Sequence, residues 1–321
     1  MKKIVAGLVL IIFANAAYSQ EEDKLLVSEI KQSTVVTQPA TLGKGFFLIG
    51  SVFTYTADDK VFFENGKKDY EPGNGWGKYS TEYLHFQFGL TNRIELAFAL
   101  PYKIKSMTGS IIDKSPVNDS TMKTQYKSIG QGIGDIEFGI YYQLIEGSKT
   151  KPSVVSKLNA TFPTGEKNPT NIKEILEYDY PTGNGETTLA LELIYRKITY
   201  PYSYSFYGLF QYSFSGEKIM LPYENSITFK SGNRYEVGGN FNFLLNDWIA
   251  VQNDLRLFYK HADKYDGETA WNSLTQQGIW YNPNINFQFK KFRLFQGVFI
   301  PLIGKYFPAN PQYNIGLQYI F

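Results

Sequence analysis

Two histidines, His85 and His261, are the residues to test first for chemistry, because imidazole is the usual general base near neutral pH. His85 has its nearest serine at Ser80, and His261 opens a polar segment ahead of Asp263 and Lys264. Nucleophilic catalysis needs a nucleophile, a base and an orienting group within hydrogen-bond reach. Local spacing assembles no such set, so the chain reads as a non-enzyme. The chain contains no cysteine, which removes thiol nucleophiles, disulfides and thiolate metal sites. Asp58-Asp59 and the Asp263 and Asp266 pair read as solvated loop charges rather than a calcium site, so neither metal nor cofactor is expected. GQGIGD (130–135) and PTGNGE (181–186) lack the Gly-Lys-Ser/Thr ending of a phosphate loop, and their glycines read as turn residues.

The remaining chemical groups are charges at alternate positions within apolar segments, and the elements that carry them decide what they do. From Gly45 onward twelve strand candidates follow, each of about the length that crosses a bilayer at a tilt. They run 45–56, 79–90, 94–104, 133–144, 152–163, 186–197, 203–214, 233–245, 248–260, 277–289, 292–303 and 312–321. Odd-numbered strands are followed by long polar segments such as 57–78, 105–132 and 164–185. Even-numbered strands are followed by tight turns such as Asn246-Asp247 and Lys290-Lys291. Only 304–311 is a fairly short outer loop. That alternation predicts an all-β, antiparallel, up-and-down transmembrane barrel with short periplasmic turns, long extracellular loops and both termini in the periplasm.

Parity then assigns the faces. Leu84, Phe86, Phe88 and Leu90 point to lipid in the second strand, and Leu189, Leu191, Leu193 and Tyr195 do so in the sixth. The opposite parity places His85, Glu95, Asp135, Glu137, Lys157, Glu192, Arg196, Arg234, Glu236, Asp254, Arg256 and Arg293 inside, with an amide ladder at Asn282, Asn284 and Asn286. A one-residue slip would push charge into hydrocarbon at about 2–4 kcal/mol per Lys or Arg at mid-bilayer. The inward charges nearly balance. They read either as an ion-pair network satisfying a polar interior or as a constriction that selects solutes by charge. Phe295, Phe299 and Pro301 add an apolar strip to the same interior. Twelve tilted strands give a backbone radius of roughly 12 Å, which leaves a narrow channel.

The ends of the chain supply the compartment. Residues 1–20 combine Lys2 and Lys3, an apolar run from Ile4, and small residues Ala17 and Ser19, the pattern of a signal peptide. Residues 21–44 carry no alternation and read as a periplasmic lead-in or a plug in the lumen, with the barrel filling 45–321. The final NIGLQYIF (314–321) alternates apolar and small or polar residues and ends on an aromatic. Asn314, Gly316, Tyr319 and Phe321 match the C-terminal signal read by the outer-membrane assembly machinery. Composition agrees: 25 Tyr, 25 Phe and 28 Gly suit strands and interfacial girdles. The 32 basic and 30 acidic residues give no electrostatic reason for nucleic acid as a partner. The expected location is the outer membrane of a Gram-negative bacterium.

GLTNRIELAFALPY (89–102), GQGIGDIEFGIYYQL (130–144) and FPTGE (162–166) together resemble the outer-membrane barrels of the "meta-pathway of phenol degradation" family. Gly132, Gly134, Asp135, Pro163, Thr164 and Gly165 carry that resemblance, and QPATLGKGFF (38–47) has a similar look. It implies a transporter that passes small, hydrophobic or aromatic molecules. The expectation is thus an outer-membrane channel whose partners are membrane lipid and a small solute. Its rivals are a non-conducting structural barrel with an ion-paired lumen and an outer-membrane enzyme acting on lipid.

Overall fold

The computed structural model describes residues 41–321, apart from 71–75, 115–120, 148–150, 168–171, 175–176, 180, 200, 221–224, 247, 270–273 and 290. The signal peptide and most of the lead-in lie outside the described residues. β1 (Phe47–Asp58) is followed by the short β2 (Lys60–Phe62) and β3 (Lys68–Tyr70). Next come β4 (Trp76–Gly89), β5 (Ile94–Lys114), β6 (Thr121–Ile133), β7 (Ile136–Ile145) and β8 (Ser153–Phe162). β9 (Ile172–Glu174) and β10 (Glu177–Asp179) precede β11 (Thr188–Thr199) and β12 (Tyr202–Ser213). The hairpin β13 (Gly216–Met220) and β14 (Asn225–Lys230) leads to β15 (Arg234–Leu244) and β16 (Ile249–Lys260). β17 (Lys264–Tyr265) and β18 (Glu268–Thr269) then precede β19 (Gln276–Phe289) and β20 (Phe292–Lys305). β21 (Phe307–Pro308) and β22 (Gln312–Ile320) complete the series.

Fifteen strands form one sheet, from which β6, β9 and β10 branch off, leaving twelve in an antiparallel ring. β1 pairs with both β4 and β22, from Leu48 opposite Ile320 to Thr56 opposite Gln312, so the ring is closed and has no free edge. Closure is what lets every backbone group be satisfied within hydrocarbon. The outer face carries Phe53, Leu84, Phe98, Ile140, Leu191, Phe206, Val237, Leu257 and Leu317, with Phe206 and Val237 about 60% exposed, at 59% and 62%. So continuous an apolar surface belongs in lipid. Polar members pair on it: Ser51 donates to Glu82 (3.0 Å), and the Tyr281 hydroxyl donates to Asn253 (2.5 Å).

The segment expected as a loop at 105–132 is instead largely strand. β5 runs for 21 residues and pairs with β6 through Lys114 opposite Thr121, so a long hairpin projects beyond the wall before β7 takes over the pairing with β5. Those residues alternate without an apolar face, which is why they resemble loop in sequence. The other long connections also carry small sheets, β13–β14–β17–β18 and β21–β2–β3. In the wall, Pro283 offers no N–H, and the β19–β20 ladder passes from Tyr281 opposite Ile300 to Asn284 opposite Gly297 without pairing it.

The seam where β22 meets β1 and β20 accounts for the four residues singled out at the C-terminus. Tyr319 packs on Phe292 (4.5 Å between centroids) and Phe321, while Phe321 packs on Phe47 (5.7 Å), an aromatic cluster at the short-turn end. Asn314 and Gly316 point inward, and a methyl group on Gly316 would overlap the ring of Phe295. Gly316→Val is therefore expected to lower the folded fraction. Adding Phe295→Ala should restore it, as read by the heat-dependent gel shift of the folded barrel. Failure of the second change to rescue the first would remove the packing explanation.

Candidate functional site in the barrel lumen

At the short-turn end the lead-in packs into the interior. The backbone N–H of Leu42 donates to Glu95 Oε2 (2.6 Å), and the Thr41 hydroxyl donates to Gln143 Oε1 (2.8 Å). Leu42 is buried with Leu48 and Ile320. The end of the lead-in thus occupies the mouth of the cylinder. Glu95, only 1% exposed, is an anchor for that segment and not an open lining charge.

Above this lies the ion-paired middle. Lys157 reaches Glu192 (3.4 Å) and sits 5.1 Å from the centre of the Tyr141 ring. Nearer the short turns, Arg293 is buried and donates to Asn286 Oδ1 (3.2 Å), and Arg196 on β11 is equally buried. Asn240, Asn242, Gln252, Asn282, Asn284 and Asn314 are buried as well, on β15, β16, β19 and β22, so buried amides and charges share that side of the lumen. His85 points inward, stacked on Tyr83 at 5.7 Å, and its direct cross-strand neighbours are Gly50 and Ala99. Those neighbours bring it neither an acid nor a hydroxyl.

Toward the loop end four of the expected charges meet. Glu236 accepts from Arg234 at very close range and from Arg256 (3.4 Å), which also reaches Asp254 (3.3 Å). The Tyr207 hydroxyl joins them, accepting from Arg256 Nε (2.8 Å) and donating to Asp254 Oδ1 (3.2 Å). Side chains of β12, β15 and β16 therefore form one chain of alternating charge, and a buried network so fully connected is rigid. Beside it opens a polar cavity of about 360 Å3 lined by Tyr83, Lys103, Glu137, Glu186, Arg234 and Lys260, among others.

That chamber borders a group of aromatic rings. Phe307 is buried against Phe258 (5.1 Å) and Trp280 (5.2 Å), and Trp280 meets Phe299 edge-on (5.5 Å). Arg234 lies over Phe258 (5.2 Å) and Arg256 over Phe299 (5.6 Å), so cations of the network cover the rings. Phe307 arrives there from a loop. Tyr306 adopts φ +51°, and β21 pairs with β2 so that Phe62 opposes Phe307 and the two loops fold inward together. Outside, Lys305 bonds Glu64 (3.0 Å) and, by that hydrogen bond and its charge, holds the exposed Glu64 carboxyl below the usual range. The expected strip of Phe295 and Phe299 is thus divided. Phe295 packs over Gly316, while Phe299 and the buried Pro301 lie toward the aromatic group.

Asp135 borders the chamber, but its carboxylate serves the backbone. It accepts from Gly165 N (3.0 Å) and from Asn184 N (2.6 Å). Two Pro-Thr-Gly turns, 163–165 and 181–183, face each other across it. Thr164 donates to Gly134 O (3.1 Å), and Thr182 donates to Ile133 O (2.8 Å). A Cβ on Gly183 would lie 2.6 Å from Asp135 Oδ1 and 2.7 Å from the Gly165 backbone, so the approach needs glycine on both sides. Gly134, Asp135, Thr164 and Gly165, from two of the blocks that carried the family resemblance, therefore meet in one knot at the loop end of β7, β8 and β11.

Sequence reasoning missed Lys103, Tyr141, Tyr207, Phe258 and Trp280, although parity places each inside. It also missed Phe62, Phe307 and Leu42, which sit in segments without a period.

No protein-family model matches the chain. Among solved structures, the Pseudomonas putida toluene transporter TodX aligns over 95% of this chain and 94% of its own, at 8% identity and a TM-score of 0.45. The translocator domain of the autotransporter NalP from Neisseria meningitidis aligns over 87% and 89%, at 11% identity and 0.44. In fold, the chain is similar to the COG4313 outer membrane channel from Pseudomonas putida F1, across 88% of this chain and 97% of that one, at 14% identity and a TM-score of 0.68.

Proposed function

We propose that the chain is an outer-membrane channel for passive passage of small solutes, hydrophobic and aromatic molecules included. The observation that carries this reading is the gathering of Phe258, Trp280, Phe299 and Phe307 inside the cylinder against a polar chamber. A lumen that only had to be filled with ion pairs has no need of an aromatic cluster whose edge, Phe258, reaches the chamber. In this reading the loop end is extracellular, both termini are periplasmic, and Asn314, Gly316, Tyr319 and Phe321 are read by the assembly machinery. The short motifs at 89–102, 130–144 and 162–166 favour the "meta-pathway of phenol degradation" barrels as the family. Balanced charge along the network gives weak ion selectivity.

The second reading, a non-conducting barrel, is favoured by one observation: Leu42, bonded to Glu95 and buried against Leu48 and Ile320, sits in the short-turn mouth. Unitary conductance of the refolded protein in a planar bilayer separates the two. The channel reading expects small, discrete current steps that grow when residues 21–44 are deleted. No current in either form would leave the structural barrel as the function.

A further inference from the structure

The small sheet β13–β14–β17–β18 at the loop end has two unlike faces. On one, Phe229 and Tyr265 pack together at 5.7 Å. On the other, Lys230 stands directly opposite Lys264, and Lys264 directly opposite Thr269. Like charges placed directly across a strand pair repel. The usual remedy, a carboxylate between them, is missing: among the described residues neither lysine forms an ion pair with an acid. Three nearby acids are engaged elsewhere, and Glu268 stands opposite Tyr265 on the other face. Asp263 accepts from Lys260 (2.8 Å) and Gly232 N (2.9 Å), Asp266 from Thr228 N (2.8 Å), and Glu186 from Ser231 N (2.8 Å).

A cavity of about 430 Å3 opens at this place, lined by Lys230, Ser231, Asn233, His261, Lys264 and Thr269 among others, and among the described residues no carboxylate lines it. Its lining is cations, hydroxyls and amides, all able to donate to an anion. Its position is equally specific. Lys230 Nζ donates to the Tyr212 hydroxyl (2.9 Å) and lies 4.2 Å from that ring, and Tyr212 belongs to the outward face. His261 lies edge-on to Tyr235 (5.8 Å) and Tyr259 (5.1 Å), which also face outward. The cationic cavity thus reaches the aromatic outer face at Lys230 and His261, while Ser231 and Gly232 also border the lumen chamber.

We propose that this rim cavity is a phosphate-binding site, placed to hold the phosphorylated headgroup of an outer-leaflet lipid. Its location beside lipid rests on the outer-membrane reading above, while its anion chemistry does not. Phosphate between Lys230 and Lys264 turns a repulsive cross-strand pair into two attractive contacts, and the hydroxyls of Ser231 and Thr269 complete the donor set. Anchoring the barrel to its outer leaflet would follow from it.

Native mass spectrometry of the full chain in detergent tests this, with a phosphorylated diglucosamine glycolipid, its dephosphorylated counterpart, and inorganic pyrophosphate as probes. The wild type is expected to retain the phosphorylated lipid at least about tenfold better than the dephosphorylated one, the weight of one charged hydrogen bond. Pyrophosphate should compete. The Lys230→Ala/Lys264→Ala double variant should lose that preference. Lys264→Glu should lose it too while remaining folded, because it places opposite charges across the strand pair. Binding of pyrophosphate without the lipid would keep the anion site and overturn its lipid placement. Undiminished retention by both variants, or equal retention of the two lipids, would overturn the site itself, and neither outcome would bear on conductance.

Discussion

Asp135→Ala is expected to cost the barrel about 3–6 kcal/mol, from two lost hydrogen bonds to a charged acceptor at about 1.5–3 kcal/mol each. The donors Gly165 N and Asn184 N would be left in a buried knot that admits no larger side chain at Gly183. Domain stabilities of about 5–15 kcal/mol make that a large share. The measurement is the urea midpoint of the tryptophan fluorescence transition in detergent. Asp135→Asn, which keeps one acceptor oxygen, should fall between the variant and the wild type. A midpoint for Asp135→Ala equal to the wild type would mean the two Pro-Thr-Gly turns hold each other without the carboxylate.

Phe307→Ala carries the second large effect. The ring fills the space between Phe258, Trp280 and Phe62, and its removal takes a packed section out of the lumen at the edge of the polar chamber. Unitary conductance should rise by at least about twofold, since a missing ring leaves more room than a file of water molecules needs. Burial lost at the same site should destabilise the protein by about 3–5 kcal/mol, the usual range for Phe→Ala in a core. Phe210→Ala, an outward substitution, is the control and should leave conductance unchanged. Equal conductance in Phe307→Ala and wild type would place the narrowest point elsewhere.

The wall of this protein was legible because lipid and water alternate along every strand. Leu189, Leu191 and Leu193 against Glu192, or Leu255 and Leu257 against Asp254 and Arg256, leave one register open. The tight turns and the count of twelve followed from the same alternation. What was not legible lies where that rule stops. The β5–β6 hairpin continues the pairing as far as Lys114 opposite Thr121, and its sequence carries no apolar alternation, so no period marks it. Phe62 and Phe307 meet because two distant loops pair through Val61 opposite Pro308 and Phe62 opposite Phe307, which no local pattern encodes.

The site divides along the same line. Parity placed Arg234, Glu236, Asp254 and Arg256 on one face, and the structure joined all four. Tyr207, which completes them, was hidden because β12 carries aromatics on both faces: Tyr204 and Phe206 outside, Tyr207 inside. Asp135 has the parity of a lining charge but works as a staple. Its partners are backbone N–H groups, and a sequence gives no sign of which carboxylate they will claim.

The central claim, that a water-filled path runs inside this cylinder and lipid lies outside it, can be tested with the chain's lack of cysteine. Glu137→Cys places a thiol in the chamber lining, and Leu191→Cys places one on the outer wall. Both are recorded in a planar bilayer while a charged, membrane-impermeant thiol reagent is added. The account predicts that the current through Glu137→Cys drops on modification, while Leu191→Cys is unaffected. Modification at position 191 with no response at position 137 would contradict it.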